Sequence, residues 1–241
     1  MRRYYYDLHV HSCLSPCGDN DNTPNNIAGM ASLCGLDIVA LTDHNTAKNC
    51  PAFFAAAEKY GIIPIAGMEL TTSEDIHVVC LFETLPEALE FDQFIETKRI
   101  RIKNKPQIFG EQLILDSDDN VIGQEENLLS NATVISIDEV KSVVEEFNGI
   151  CYPAHIDRFS NGIIAILGTI PSDSDFTVYE VHSKDQIEGL ANEHSINPDR
   201  FVVSSDAHYL TDMRDKENFF TLSDERDKVV AELFEFFRRK L

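Results

Sequence analysis

The chain has 241 residues, and 43% of them are hydrophobic, which is enough for a sizeable core in what we expect to be a single domain over residues 1–241. The formal net charge is −21, and so acidic a surface repels long nucleic acid over most of its area, so we expect no long nucleic-acid partner. The six cysteines show no paired framework, and no apolar run approaches membrane-spanning length. We expect no signal peptide, because the first predicted strand starts within a few residues of the N-terminus. We therefore expect a cytoplasmic protein that binds no membrane.

Short apolar strands alternate with amphipathic helices in the first part of the chain. Strands are predicted at 4–10, 38–41, 62–68 and 76–82. A helix start is predicted at Thr23, which can cap the first turn, because Pro24 fits the first helical position. Another helix is predicted at 51–60, and the capping box formed by Thr84 and Glu87 opens a third.

A predicted β-hairpin interrupts this alternation at about 107–131, where two apolar runs flank a polar turn at 116–120. We interpret it as an insertion beside the main fold. After it come a capping box at Ser136 and Glu139, strands at 150–154, 176–181 and 201–204, and a last helix at about 223–240. The alternation predicts an α/β fold, with a mainly parallel sheet covered on both faces or closed into a barrel.

Metal-ligand residue types stand at the ends of several predicted strands. The first strand ends in His9 and His11, and residues two apart on a strand share a face, so both rings can reach one ion. Asp206 and His208 repeat that spacing near the C-terminus. Imidazole and carboxylate together suit zinc, manganese or iron. Ligands at the carboxyl ends of several strands favour a barrel with a metal centre at its mouth.

Single residues at other strand ends extend this set. Asp43 and His44 follow the second strand, and because they are adjacent, one can face a metal while the other supports it from behind. Glu69 follows the third apolar strand, where a carboxylate suits a ligand role. His77 lies near the start of the fourth strand, and His155 lies at the end of the fifth.

In this order, the residues resemble the pattern of the polymerase and histidinol phosphatase (PHP) domain family. The family pattern is His-x-His on the first strand, Thr-Asp-His on the second, then a Glu, two isolated histidines and a late Asp-x-His. The chain carries these as His9 and His11, Thr42, Asp43 and His44, Glu69, His77, His155, and Asp206 and His208. The resemblance covers nearly the whole length apart from the hairpin. It implies a distorted seven-stranded (βα) barrel that holds two or three divalent metal ions.

The resemblance also implies how the ligands are shared. The first ion would be held by His9, His11, Glu69 and Asp206. Glu69 would bridge to a second ion that His77 and His155 complete, and His44 and His208 would hold a third.

The third ion would take one more ligand from the loop after the first strand. Counting back from the helix start at Thr23 points to Asp19, which we favour because a helix start is the firmer anchor. Counting forward from His11 points nearer to Cys17, whose thiolate would bias the site toward zinc.

Clustered divalent ions suit phosphate ester hydrolysis, because they neutralise phosphate oxygens and supply a metal-bound hydroxide near neutral pH. The sequence therefore predicts a metal-dependent phosphoesterase for a small phosphorylated metabolite or a nucleotide. Glu69 and Asp43 are the predicted carboxylates of the catalytic site. Arg158, three residues past His155, is either a bidentate phosphate clamp or a partner in a surface salt bridge.

Three other functions compete with this prediction. An amidohydrolase that cleaves C–N bonds also begins with His-x-His, but that family usually bridges its metals with a modified lysine. A nuclease or nucleotide phosphatase of the same fold is a second alternative, since an acidic surface does not exclude mononucleotides. A non-catalytic regulatory module is the third, and such a module should have lost ligands. The oligomeric state is left open.

Overall fold

Strands and helices alternate along the chain in the computed structural model, which describes residues 1–172 and 174–239. The strands are β1 (Arg2–Val10), β2 (Ile38–Leu41), β3 (Ile63–Thr71), β4 (His77–Phe82), β5 (Leu113–Leu115), β6 (Val121–Gln124), β7 (Ile150–Pro153), β8 (Tyr179–Val181), β9 (Phe201–Val203) and β10 (Phe219–Leu222). The helices are α1 (Pro24–Leu33), α2 (Cys50–Tyr60), α3 (Leu85–Glu96), α4 (Pro106–Phe109), α5 (Ile137–Glu145), α6 (Ile163–Leu167), α7 (Ile187–His194) and α8 (Val229–Arg238). No helix in the described ranges is long and apolar enough to cross a membrane.

A curled sheet of six strands, in the order β10-β1-β2-β3-β4-β7, forms the centre of the fold. Strands β1, β2 and β3 run parallel, with Tyr6 opposite Ile38 and Ile38 opposite Ile63, whereas β10 runs antiparallel to β1. β4 runs antiparallel to both of its neighbours. Only residues 72–76 connect β3 to β4, which is too short for the crossover that a parallel pair requires. The sheet is therefore mixed, where we expected a mainly parallel one.

A second sheet, the parallel pair of β8 and β9, lies beside the first. Val10 at the end of β1 forms a parallel bridge with Ala207, just beyond β9. On the other side, the N–H of Ile156 donates to the carbonyl of Glu180 on β8 at 2.9 Å. These contacts join the end of β1 to the segment after β9, and the segment after β7 to β8. The curled α/β sheet is confirmed, whereas a seven-stranded barrel is not, because the continuous sheet has six strands.

Apolar side chains pack on both faces of the sheet. Ile38 and Ala40 of β2 belong to one buried cluster, together with Phe234 of α8. Val39 and Leu41 point the other way, into a cluster that includes residues of α1, α2, α3 and α5. Burial on both faces explains why the strands are continuous apolar runs. The polar and charged residues of these otherwise apolar strands lie mainly near the strand ends.

The predicted hairpin is present as the antiparallel pair of β5 and β6. The side chain of Asn49 accepts the N–H of Leu115 at 3.0 Å and donates to the carbonyl of Leu113 at 3.1 Å. At the hairpin tip, Asp119 accepts the hydroxyl of Thr23 at 2.6 Å. The hairpin is therefore tied to the starts of α1 and α2.

Most predicted helix starts are confirmed, but the C-terminal elements differ. The capping boxes of α3 and α5 are both formed, and Thr23 caps α1. The last helix begins at Val229 and not near 223, because residues 223–225 are irregular and Arg226–Lys228 form a 3-10 helix. Before them lies β10, which pairs antiparallel with β1 and was not predicted. The predicted helix end at residue 240 lies outside the described residues.

Candidate metal centre

Glu69 on β3 lies at the centre of a cluster of histidines and is 1% exposed. Its Oε1 atom lies 2.8 Å from Nδ1 of His77 and 3.0 Å from Nε2 of His155. Its Oε2 atom lies 3.0 Å from Nδ1 of His44. A carboxylate with imidazoles at both oxygens has the arrangement of a ligand that is shared between two ions.

His9 and His11 approach the same carboxylate from the end of β1. Their Nε2 atoms lie 3.1 Å apart, and Oδ1 of Asp206 lies 3.3 Å from the first and 3.1 Å from the second. Each Nε2 atom also lies 3.3 Å from an oxygen of Glu69. Two imidazole nitrogens that converge with two carboxylates in a buried space have the geometry of a cation site.

Several buried ligand atoms of this cluster make no hydrogen bond, although most of them lie close to a nitrogen or oxygen atom of a neighbouring ligand residue. They are Nδ1 of His44, Oε2 of Glu69, Nδ1 of His77, Nδ1 of His155 and Oδ1 of Asp206. A buried polar atom without a partner costs about 1–3 kcal/mol, so the arrangement is explained if cations complete it. The donor set of imidazoles and carboxylates fits zinc, manganese or iron.

Three groups of ligand atoms lie close enough to share ions, with each group's atoms within 4.8 Å of one another. They are His9, His11, Glu69 and Asp206; His44, Glu69 and His77; and His11, His44 and His208. The first group is the set of residues that the family resemblance assigns to the first ion. The other two place His77 and His44 beside Glu69, and His208 beside His44.

The backbone at two of these positions is left-handed. His155 has a φ of 29°, and Asp206 has a φ of 51°. Because β9 ends at Val203, Asp206 and His208 do not lie on a strand, as the spacing had suggested. Strained backbone of this kind persists where the surrounding structure fixes it, and here it holds Asp206 beside His9.

Glu180 on β8 supports the cluster from behind and was not identified from the sequence. Its Oε1 atom lies 2.9 Å from Nδ1 of His9 and accepts the backbone N–H of His155 at 3.1 Å. Such a carboxylate fixes the orientation of a ligand histidine and raises its basicity. The available signal was a single acid between the apolar residues Tyr179 and Val181.

Asp43 does not contact the cluster directly. Its carboxylate accepts the N–H of Ser12 at 2.7 Å, the hydroxyl of Ser12 at 2.6 Å and the hydroxyl of Ser15 at 2.7 Å. The same Ser15 hydroxyl lies 2.9 Å from Nδ1 of His11. Asp43 is therefore placed to position His11 through Ser15, in the supporting role that the adjacent pair Asp43 and His44 had suggested.

The structure brings Cys17 into the cleft that His44 and His208 line, whereas Asp19 meets His208 only through its backbone N–H. The carboxylate of Asp19 accepts the N–H of Asp21 at 2.8 Å within its own loop. Cys17 lines the cleft together with His44 and His208. Burial raises the pKa of the Cys17 thiol, but the nearby imidazoles of His44 and His208 lower it to about 5. Counting from the helix start does not follow the course of the loop, which contains tight turns between His11 and Thr23.

Arg158 contacts a cluster residue instead of a surface acid. Its guanidinium donates to Oδ2 of Asp206, and its Nη2 atom lies 3.3 Å from Nδ1 of His182. The side chain is 37% exposed, so part of the guanidinium faces solvent. The cleft above the cluster has a volume of about 420 Å³, and its lining also includes Asp75, Ser130, Ser160 and Asn161.

Protonation of the ligands depends on burial and on neighbouring carboxylates. Burial lowers the pKa of His9, but Glu180, Glu69 and Asp206 raise it well above its usual value. For His77, burial lowers the pKa by more than Glu69 raises it. Burial raises the pKa of Glu69, but the surrounding histidines hold it well below the usual range. Without cations, part of the cluster therefore carries protons that an ion would displace.

Comparison with known proteins gives one family and one fold. The family model of the PHP domain matches residues 7–193. An uncharacterised protein of Methanocaldococcus jannaschii is 31% identical over 99 residues, which span 37% of this chain and 58% of that protein.

Two solved structures have a similar fold. The lesion-specific endonuclease of Pyrococcus furiosus matches with a TM-score of 0.66 and 18% identity, over 96% of this chain and 55% of the endonuclease chain. A proposed metal-dependent phosphoesterase of Bifidobacterium adolescentis matches with a TM-score of 0.60 and 17% identity, over 95% of this chain and 96% of the other. The chain thus spans less than two thirds of the archaeal relative and of the endonuclease, but nearly all of the phosphoesterase. With its cluster of metal-ligand residues, the chain belongs to the PHP domain family.

Proposed function

We propose that the protein is a metal-dependent phosphoesterase that hydrolyses a small phosphorylated metabolite or a nucleotide. The observation that carries this proposal is the convergence of imidazoles and carboxylates on Glu69, at the floor of a cleft that Arg158 also lines. Two or three divalent ions of zinc, manganese or iron fit these donors. When bound, they neutralise phosphate oxygens and lower the pKa of a coordinated water.

In this proposal, the protein supplies positioning and charge. Glu69 is the shared ligand, and His9, His11 and Asp206 complete one side of the centre. Glu180 holds His9 in one orientation, which keeps that ligand from turning away. These contacts are buried, so the centre is fixed before a substrate arrives and little reorganisation is needed on binding.

Arg158 is the proposed phosphate contact. It is the arginine of the cleft lining, and its solvent-facing N–H groups can donate to a phosphate beside Asp206. Binding of the phosphate would leave the guanidinium shared between the substrate and Asp206. Arg158 would then orient the substrate relative to the centre.

The cleft volume of about 420 Å³ supports a small substrate, since it lies at the lower end of the range for small-molecule sites. The net charge of −21 disfavours a long polyanion by general electrostatics. A mononucleotide carries few charges and meets both conditions.

Cleavage of nucleic acid is the second candidate, and Phe159 favours it. This phenylalanine is fully exposed and lines a neighbouring pocket that shares Arg158 and Ser160 with the cleft, where an aromatic face can stack on a base. The protein of similar fold from Pyrococcus is a lesion-specific endonuclease.

A substrate panel tests the proposal and separates the alternatives. The purified protein, supplied with zinc, manganese or iron, is assayed on phosphomonoesters, mononucleotides, cyclic amides, and single-stranded and duplex oligonucleotides with and without an abasic site. We expect turnover of monoesters or mononucleotides and none of cyclic amides. Hydrolysis of cyclic amides alone would establish an amidohydrolase. Cleavage of oligonucleotides without monoester turnover, with a KM that rises steeply with salt, would establish a nuclease.

A further inference from the structure

A second pocket adjoins the cleft above the Glu69 cluster. It has a volume of about 650 Å³, which lies within the usual range for small-molecule sites. Arg158 and Ser160 line both spaces, and His182 and Ser183 line the pocket. A substrate with its phosphate in the cleft can therefore extend its leaving group past Arg158 into the pocket.

The ring of His182 lies between two guanidinium groups. Nη2 of Arg214 lies 2.8 Å from Nε2 of His182, and Nη1 of Arg214 donates to the backbone carbonyl of His182 at 2.7 Å. On the other side of the ring, Nη2 of Arg158 lies 3.3 Å from Nδ1 of His182. Each guanidinium thus faces one nitrogen of the same ring.

A neutral imidazole cannot accept a hydrogen bond from both arginines. Burial and the charges of Arg214 and Arg158 lower the pKa of His182, so its ring is neutral at neutral pH. Such a ring has one nitrogen that accepts and one that donates, whereas a guanidinium only donates. The contact with Arg214 is the shorter one, so Nε2 is the acceptor and Nδ1 carries the proton. The Nδ1–H group and an N–H group of Arg158 then face each other, and the two donors need an acceptor that both can reach.

Both donors are held in place by neighbouring carboxylates. Asp157 accepts the backbone N–H groups of His182 and Ser183, each at 2.9 Å. Asp206, a candidate metal ligand, accepts from Arg158 on the side of the cluster. These two carboxylates are therefore engaged elsewhere. An anionic oxygen in the pocket can accept from His182 and from Arg158 together, and its charge strengthens both hydrogen bonds.

We propose that Arg158 and His182 form a subsite for a second anionic group of the substrate, a carboxylate or a phosphate that the leaving group carries. An oxygen of that group would accept from Nδ1 of His182 and from Nη2 of Arg158. Arg214 is a positioning residue, because it fixes which nitrogen of His182 carries the proton. This inference rests on the proposed phosphoesterase function, and it narrows the substrates to phosphomonoesters that carry another acidic group.

Non-hydrolysable ligands test the subsite without reference to turnover. Propylphosphonate, 3-phosphonopropionate and propane-1,3-bisphosphonate share a phosphonate on a three-carbon chain. They differ at the other end, which is a methyl group, a carboxylate or a second phosphonate. Calorimetry gives their dissociation constants for the zinc-loaded wild type, His182→Phe, His182→Asn and Lys184→Ala. Lys184 is the matched control, because it is an exposed cation two residues past His182 and is not among the residues that line the pocket.

At least one of the two ligands with a second acidic group should bind the wild type at least about tenfold more tightly than propylphosphonate. A preference for 3-phosphonopropionate would identify the second group as a carboxylate, and a preference for the bisphosphonate would identify it as a phosphate. His182→Phe should lose this advantage and keep its affinity for propylphosphonate. His182→Asn, which keeps a donor near the position of Nδ1, should retain part of the advantage, and Lys184→Ala should retain all of it.

Three results would overturn the inference. The first is equal affinity of the wild type for all three ligands. The second is an advantage that persists unchanged in His182→Phe. The third is an equal loss in Lys184→Ala and His182→Phe, which would show general attraction by positive charge instead of a subsite at His182.

Nitrogen-15 NMR of histidine-labelled wild type tests the tautomer directly, and comparison with His182→Asn assigns the signal of His182. Nδ1 should carry the proton and Nε2 should not. The Nδ1–H resonance should shift more when the preferred acidic ligand is added than when propylphosphonate is added. A proton on Nε2 would contradict the subsite.

The inference and the proposed function can fail separately, because turnover of propyl phosphate is assayed on the same preparations. Turnover together with equal affinity for all three ligands removes only the subsite. A preference that depends on His182, without turnover of any phosphomonoester, removes only the function.

Discussion

The Nδ1 atom of His9 lies 2.9 Å from Oε1 of Glu180, and both side chains are at most 1% exposed. Neither group can exchange this contact for water. The same carboxylate oxygen also accepts the backbone N–H of His155, so one residue on β8 contacts two histidines whose rings both lie beside Oε1 of Glu69. The sheet of β8 and β9 therefore contributes to the site, although none of its residues is among the candidate metal ligands.

Replacement of Glu180 by Gln should weaken metal binding without unfolding the protein. The amide keeps the shape but loses the negative charge that fixes the tautomer of His9, so metal affinity should fall by about 10–100-fold. The measurement is competition with a chromophoric chelator. Glu188→Gln, an exposed position on α7, is the matched control and should match the wild type. Unchanged affinity in the Glu180 variant would contradict the role.

Replacement of Asp43 by Ala should lower the free energy of unfolding. Three donors of Ser12 and Ser15 lose a buried charged acceptor, which should cost about 2–3 kcal/mol. Urea denaturation of the metal-free protein measures the change. Asp118→Ala at the exposed hairpin turn should change stability by less than about 0.5 kcal/mol. If the two variants have equal stability, the Asp43 network is not a structural support.

Replacement of Arg158 by Ala should reduce kcat/KM for the phosphorylated substrate by about 100-fold, because a charged donor to the phosphate is lost. Lys should restore little of it, since an ammonium cannot donate in the bidentate geometry. Arg239→Ala, which removes an exposed pair with Glu235, is the control. If the decrease in kcat/KM is accompanied by an equal decrease in bound metal, Arg158 positions Asp206 and does not contact the substrate.

Metal affinity should rise with pH. The pKa values of His9, His11 and His44 are raised, because nearby carboxylates (for His44 also the Cys17 thiolate) outweigh burial. A raised histidine pKa stabilises the metal-free fold below the ordinary value of about 6.5, and this contribution is lost as pH rises through the folded-state pKa. Cations must displace these protons, so calorimetry in two buffers of different ionisation enthalpy should detect proton release. Binding that is independent of pH from about 6 to about 8 would contradict these protonation states.

Much of the fold follows from local signals. Thr23, Thr84 and Ser136 start helices because each supplies a side-chain oxygen at the correct position, which is a property of a few neighbouring residues. Continuous apolar runs likewise predicted β2 and β3. By contrast, the pairing of β10 with β1 depends on contacts between residues far apart in the chain, and no local pattern encodes it.

The site divides in the same way. His9 and His11 were readable because two residues on one strand face share a direction. Glu180 was not identified from the sequence, because a single acidic residue on a three-residue strand forms no spacing pattern with other candidate residues. The positions of Cys17 and Asp19 relative to the cleft depend on a turn at Gly18 that residue counting does not reveal. Spacing thus pointed to residues that the structure brings together around Glu69, whereas the contact of Glu180 with His9 and the course of the loop after β1 depend on tertiary structure.

Glu69 offers the most direct test of the account, because five histidines have ring nitrogens within 3.3 Å of its carboxylate. The measurement is elemental analysis of metal per chain, together with phosphomonoester turnover, for the wild type, Glu69→Gln and the exposed control Glu90→Gln. We predict two or three ions in the wild type and in Glu90→Gln. Glu69→Gln should lose at least one ion and lose turnover by more than about 100-fold. Full metal content and full turnover in Glu69→Gln would contradict a centre built on this carboxylate.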